Sequence, residues 1–315
     1  MRFGIIGSGS WATALAKILT DNGNAIHWYV RNSDTIQYIQ KRKHNPHYLS
    51  AAYFNQAQLQ LTNDVQELVN AVDVIVVAVP SAYVSSIFEG IDASLLEGKK
   101  IVSAVKGILP DHNVLLNQYL HTKYYFPLNH YFTLLGPCHA EEVAAEKLSY
   151  LTVAANGLDV AQRVKQYLVG PYIKVKCSND LLGAEYAAVM KNIYAIGAGI
   201  AHGLGYGDNF QAVFVAAAIR EMETFLDAIH VEKRDVKEAA YLGDLLVTCY
   251  SQFSRNRSFG TMMGKGYSVK SAQLEMNMIA EGYYATELVY ELAVQNNIEM
   301  PIVKAVYEVV YKQGN

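Results

Sequence analysis

Three cysteines in 315 residues, Cys138, Cys177 and Cys249, are too few and too widely spaced for a disulfide framework. Reduced thiols, and with them a cytoplasmic setting, are the expectation. The 7 prolines and 22 glycines are scattered, which excludes fibrous and low-complexity chains. A basic excess is also missing. The 26 Lys and Arg against 29 Asp and Glu give a net charge of −3, which argues against a general nucleic-acid binder. No uncharged apolar run reaches the roughly 18 residues that a membrane-spanning helix needs. The nearest candidate, residues 184–201, is interrupted by Glu185, Lys191 and Asn192, so a buried helix is expected and no membrane insertion. With a glycine-rich turn beginning at Gly7, no signal peptide is expected. His44 and His47 form an HxxH without a Cys or acid at ligand spacing, so no metal site is expected. What is present is apolar: 51% hydrophobic against 17% charged residues excludes a disordered chain. The length suits about two domains.

The first half alternates. Apolar runs at Phe3–Ile6, Ile26–Val30, Val74–Val79, Lys100–Ala104 and Tyr131–Leu135 are separated by stretches of helical character. Continuous β-branched runs suit strands buried on both faces, and the alternation predicts an α/β fold with a doubly wound parallel sheet. From Leu181 the strand-like runs stop, and segments of helical spacing follow to the end of the chain. The expected domains are therefore residues 1–178, binding a dinucleotide, and an all-helical 179–315, binding substrate.

Four stretches carry candidate chemistry. GSGSWATA, residues 7–14, is a GxGxxA placed after a strand and opening a helix. Gly7 permits the tight turn, Gly9 lets backbone approach a pyrophosphate, and Ala12 allows close helix–strand packing. The second strand ends without the acidic residue that usually holds the ribose of NAD. Arg31 stands there instead, suited to a 2′-phosphate or simply solvated. Lys191 shares a helix face with Ala184, Ala187, Ala188, Ala195 and Ala198. A lysine in an apolar stripe suits proton transfer, and small neighbours leave space for a ligand, although pairing with a carboxylate is equally consistent. Asp244 and Thr248 share a face four residues apart, and Ser254, Arg255, Asn256 and Arg257 follow in a stretch expected to be irregular, a donor cluster fit for phosphate or a solvated basic loop.

These strings, with VVAVPS, AVKG, LGPCHAEE, VMKNIYAIGAGIAHGLGYGDN, AEGYYAT and MPIVKAVYEVVY, resemble NAD(P)-dependent glycerol-3-phosphate dehydrogenases of the bacterial type, in order and over nearly the whole chain. The resemblance implies an N-terminal Rossmann domain, a helical substrate domain, a homodimer, and reversible reduction of dihydroxyacetone phosphate to sn-glycerol 3-phosphate for phospholipid synthesis. The implied cofactor is NADPH or NADH, with NADPH accepted and expected to be preferred. Ser10, Trp11, Arg31, Lys106, Ala140, Arg255, Ile279 and Glu281 are the implied cofactor contacts beside Gly7 and Gly9. Lys106, Gly136, Cys138, Lys191, Asp244, Ser254, Arg255 and Asn256 are the implied substrate residues. Lys191 is the implied proton acceptor in oxidation, with Asp244 and Lys106 assisting. Two positions depart from the family pattern: Ala12 replaces a glycine, and Cys138 replaces Ser or Thr, a weaker hydrogen-bond donor.

Two other readings remain at this point. One is a related dehydrogenase acting on another hydroxy acid. The other is a non-catalytic NAD(P) sensor, which would have no use for a lysine in an alanine-lined face.

Overall fold

The computed structural model describes residues 1–276 and 280–312. Among these the chain forms two compact units: Met1–Val105 with Val114–Leu181, and Lys106–Asn113 with the chain from Leu182 onward. The division differs from a single cut at residue 178, because Lys106–Asn113 leaves the first unit.

The first unit alternates strand and helix: β1 (Phe3–Ile6), α1 (Ser10–Asp21), β2 (Ile26–Tyr29), α2 (Ser33–Arg42), β3 (Leu59–Thr62), α3 (Val65–Ala71), β4 (Val74–Val77), α4 (Val84–Glu89), β5 (Lys100–Ser103), α5 (Leu116–Tyr124), β6 (Tyr131–Leu135), α6 (Ala140–Ala144), β7 (Ser149–Ala155), α7 (Leu158–Leu168) and β8 (Ile173–Ser178). The strand order is β3-β2-β1-β4-β5-β6-β7-β8. Every neighbouring pair is parallel except β6–β7, where Phe132 faces Ala155 in antiparallel register. The apolar runs of β1 and β4 are buried at every position, as helix-covered parallel strands require. Sequential order reverses between β1 and β4, which is the switch point where open α/β sheets bind ligands beyond their strands' carboxyl ends.

The second unit, apart from Lys106–Asn113, is helical: α8 (Leu181–Gly203), α9 (Asp208–Ile229), α10 (Asp244–Tyr250), α11 (Arg255–Gly264), α12 (Val269–Glu275), α13 (Glu281–Gln295) and α14 (Pro301–Tyr311). Its helices meet backbone to backbone. A Cβ built on Gly260 of α11 would lie 2.0 Å from the Ile196 carbonyl oxygen of α8, and one on Gly199 of α8 would lie 2.1 Å from the Arg257 carbonyl oxygen. Glu221 of α9 accepts hydrogen bonds from the Ile302 and Val303 amides at 2.7 and 3.0 Å, supplying the cap that α14 lacks locally. Tyr283, Tyr311, Tyr307 and Tyr290 stack in sequence along α13 and α14, which gives part of the tyrosine excess a packing role. No helix among the described residues is long and apolar enough to cross a membrane.

Candidate functional site

In the first unit, β1 delivers the chain into the glycine-rich turn at the switch point. Gly7 has φ +120°, and a Cβ there would lie 2.5 Å from the Ala78 carbonyl oxygen, so both backbone angle and crowding require glycine. Gly9 has ordinary extended angles, and a Cβ there would meet nothing within 4 Å. Neither strain nor packing explains the missing side chain at Gly9. Open space beside a helix N-terminus does, because it lets a pyrophosphate come close to the backbone; the turn fits a dinucleotide. Ala12 is fully buried, as close packing demands. Ser10 opens α1 and is buried, and Trp11 is half-buried beside it.

Three side chains hold this turn from behind. The Trp28 indole donates to the Gly7 carbonyl at 2.6 Å. The Asn45 amide donates to the Ser8 carbonyl at 3.0 Å and to the Thr13 hydroxyl at 2.9 Å. Thr13 in turn donates to the Gly9 carbonyl at 2.9 Å. None of the three is singled out by sequence reasoning. Asn45 is in a loop 32 residues beyond Thr13 and belongs to no spaced motif.

Arg31 is exposed between β2 and α2. Its neighbours have other tasks: Asn32 caps α2 by accepting from the Asp34 and Thr35 amides, and Ser33 accepts from Asn63. Gly136 ends β6 with φ +129°, and a Cβ would lie 2.8 Å from the Tyr150 carbonyl oxygen. Cys138 is buried, and Ala140 opens the short helix α6.

In the second unit the alanine stripe of α8 is buried throughout, and Lys191 is 4% exposed within it. Its Nζ donates to Asp244 Oδ1 at 2.5 Å, and Asp244 is 1% exposed. Fifty-three residues separate the partners, so helical spacing alone could not pair them. Of the two alternatives the carboxylate pairing is observed, and the lysine is both buried and charge-balanced. Thr248 returns its hydroxyl to the Asp244 carbonyl at 2.5 Å, so its share of the common face is structural. Asn192 donates to the Lys106 carbonyl at 3.0 Å, which ties Lys106 to the residue next to Lys191. Cys249 is fully buried nearby, and burial pushes its thiol up to about 12, the state of an inert core cysteine.

The SRNR stretch, expected to be irregular, opens α11. Ser254 is the N-cap, accepting from the Arg257 amide at 3.3 Å, and Arg255 and Asn256 stand in the first helical turn. The misreading has a physical cause: a cluster of cap-type residues marks a loop and a helix start alike. Ser254 and Asn256 are buried, and Asn256 also accepts from the Gly282 amide of α13 at 2.9 Å. A Cβ on Gly282 would lie 2.6 Å from the Asn192 carbonyl oxygen, so α13 begins in contact with α8 beside Lys191. Glu281 is the first residue of α13. Ile279 lies outside the described residues.

A family model described as the NAD-dependent glycerol-3-phosphate dehydrogenase N-terminus matches residues 2–161, and one described as the C-terminus matches 180–315. The chain is 32% identical to a glycerol-3-phosphate dehydrogenase [NAD(P)+] of Lacticaseibacillus paracasei, covering 99% of this chain and 91% of the relative. It is 35% identical to the enzyme of that name from Prosthecochloris aestuarii, covering 98% and 93%. A crystal structure of glycerol-3-phosphate dehydrogenase from Coxiella burnetii superimposes with a TM-score of 0.89 at 29% identity, over 99% of this chain and 95% of that one.

Proposed function

The chain belongs to the NAD-dependent glycerol-3-phosphate dehydrogenase family, and from that premise we propose that Lys191, charge-balanced by Asp244, is its proton donor and acceptor in the interconversion of dihydroxyacetone phosphate and sn-glycerol 3-phosphate. The chain is an NAD(P)-dependent oxidoreductase using NADH or NADPH. The observation that carries the proposal is the buried Lys191–Asp244 pair on an alanine-lined helix.

A reduced nicotinamide, when bound, supplies a hydride to the substrate carbonyl carbon. The carbonyl oxygen then gathers negative charge. The Lys191 ammonium stabilises that charge and donates a proton to it; in the oxidative direction the same nitrogen takes the proton back. Asp244 balances the lysine in the absence of substrate and holds Nζ in place. Lys106 adds positive charge and is fixed through its backbone by Asn192. Ser254, Asn256 and the Arg255 fork supply donors of the kind a phosphate ester requires. Gly136 and Cys138 complete the proposed substrate residues. The proposed cofactor residues are Gly7, Gly9, Ser10 and Trp11 for the pyrophosphate side, Arg31 for a 2′-phosphate, and Lys106, Ala140, Arg255, Ile279 and Glu281. A cytoplasmic homodimer without nucleic-acid partners completes the reading.

The test is reduced-cofactor consumption. Purified protein should oxidise NADPH or NADH on addition of dihydroxyacetone phosphate and form sn-glycerol 3-phosphate in equal amount. Tight cofactor binding without turnover would favour a sensor. Turnover only with an unphosphorylated 2-oxo acid would favour another dehydrogenase.

A further inference from the structure

We infer that Asn45 is a positioning residue for the dinucleotide: through its bonds to Ser8 and Thr13 it turns the carbonyls of the glycine-rich turn away from the ligand and aims the turn's amides toward it. The inference rests on the dinucleotide use proposed above and goes beyond the residues assigned there.

Asn45 is 1% exposed, and three of its bonding positions are engaged. Both amide protons are donated, one to the Ser8 carbonyl and one to the Thr13 hydroxyl. Its own carbonyl accepts from the His47 amide at 3.0 Å, which orients the side chain. While accepting from Asn45, the Thr13 hydroxyl donates its own proton to the Gly9 carbonyl. Trp28 holds the carbonyl before these. Three successive carbonyls, of Gly7, Ser8 and Gly9, are thus each bonded to a side chain.

A trans peptide is planar, and its N–H points opposite to its C=O. Fixing those three carbonyls aims the amides of Ser8, Gly9 and Ser10 the other way. Successive amides held on one side of a turn form a concavity for an anion. The Gly9 carbonyl also accepts from the Thr13 amide at 3.0 Å and is held by the helix as well. Without Asn45 the peptide plane between Ser8 and Gly9 could rotate, since Gly9 has no side chain to restrain it, and a dinucleotide would have to order it on binding. Preorganisation removes that cost and appears as affinity. An asparagine that only tied down its loop could use any exposed carbonyl. Asn45 places both donors on this turn and its first helical turn. Aspartate, nearly isosteric, would set a carboxylate oxygen against the Ser8 carbonyl and could not substitute.

The experiment compares Asn45→Leu, Thr13→Val and Thr13→Ser with wild type. Dissociation constants are measured for NADPH, NADH and ADP-ribose, which share the pyrophosphate, together with KM for dihydroxyacetone phosphate and kcat at saturating cofactor. A lost neutral hydrogen bond or two should weaken all three pyrophosphate ligands by about tenfold in Asn45→Leu. KM for dihydroxyacetone phosphate and saturated kcat should stay within about threefold, the pattern of a defect confined to cofactor binding. Thr13→Val keeps the amide bond to the Gly9 carbonyl but takes one acceptor from Asn45, so it should show a smaller loss of the same kind, about threefold, and Thr13→Ser should show none, because serine keeps the hydroxyl. If Asn45→Leu does not fold, the two Thr13 variants decide alone. Unchanged dissociation constants in Asn45→Leu or Thr13→Val, or a fall in kcat without a change in cofactor affinity, would overturn the inference. Wild-type protein that binds no dinucleotide would instead overturn the functional reading beneath it.

Discussion

Lys191 pairs with Asp244, and a substitution that keeps its bulk separates packing from chemistry. Lys191→Met keeps the aliphatic bulk and removes the proton and the charge. The fold and cofactor binding should persist at a lower melting temperature, because Asp244 loses its buried counter-charge, and kcat should fall by roughly 10²–10⁴-fold, the usual worth of positioned acid–base catalysis. Circular dichroism, cofactor titration and steady-state rates check all three, and near wild-type kcat would remove Lys191 from the mechanism. Cys138 tests a departure from the family pattern. Cys138→Ser supplies a stronger donor in almost the same volume, and with a neutral hydrogen bond contributing about 0.5–1.5 kcal/mol, KM for dihydroxyacetone phosphate should change by less than about tenfold. Abolished turnover would mean that the thiol itself takes part in chemistry. Arg31 is exposed, so its grip on a 2′-phosphate should be near the low end for a charged hydrogen bond, on the order of tenfold in affinity. Arg31→Asp should weaken NADPH far more than NADH, since an attraction is replaced by a repulsion. Dissociation constants for both cofactors in both proteins settle it; equal losses would show that Arg31 does not read the phosphate.

At the scale of elements, the contact of α8 with α11 is the most restrictive in the second unit. Gly260→Ala would set a methyl 2.0 Å from the Ile196 carbonyl oxygen, a rigid backbone atom that cannot step aside. The helices would have to part, at a cost of about 1–3 kcal/mol or more. Urea unfolding should show a lower midpoint, and kcat should fall with it, because Asn256 on α11 and Lys191 on α8 are carried by the two helices that separate. An unchanged midpoint would mean that the helices accommodate the methyl. The elements also show what could be read in advance. Tyr131–Leu135 was legible to the residue, because a continuous apolar run bounded by a polar turn and Gly-Pro has one reading. The β1–turn–α1 unit was equally plain. β3, β7 and β8 were missed, since Gln60, Ser149, Thr152, Lys174 and Lys176 break the apolar signal; the reversed direction of β7 follows from pairing partners that no local pattern records. Lys191 could be suspected from its alanines. Asp244 could be placed on a helix, but its meeting with Lys191 depends on how two helices pack. Asn45 was invisible because it acts through bonds to the Ser8 carbonyl and to a Thr13 hydroxyl 32 residues away, pairings that no local spacing records.

At the scale of the whole molecule, the segment Lys106–Asn113 sets the order in which the protein can be made. Ile108 and Leu109 within it are buried, yet the Asn192 side chain that holds Lys106 lies 86 residues downstream. At roughly 5–20 residues per second, translation leaves this stretch waiting on the order of 4–17 s for its partners. During that interval a nascent chain carries two large aliphatic side chains of a segment whose compact unit is still to be made. A chain stopped at Leu181 should therefore be recovered less soluble than the same chain carrying Ile108→Ser and Leu109→Ser, whereas in the complete protein those substitutions should destabilise. Sedimentation of the two short chains and thermal melting of the two long ones give the comparison, and equal solubility of the short pair would show that the waiting segment is harmless. The growing polypeptide is thus committed to carry an unfinished piece of its second half through the synthesis of its first, so a chaperone that recognises short aliphatic stretches would have its window of action here, before the last helices have left the ribosome.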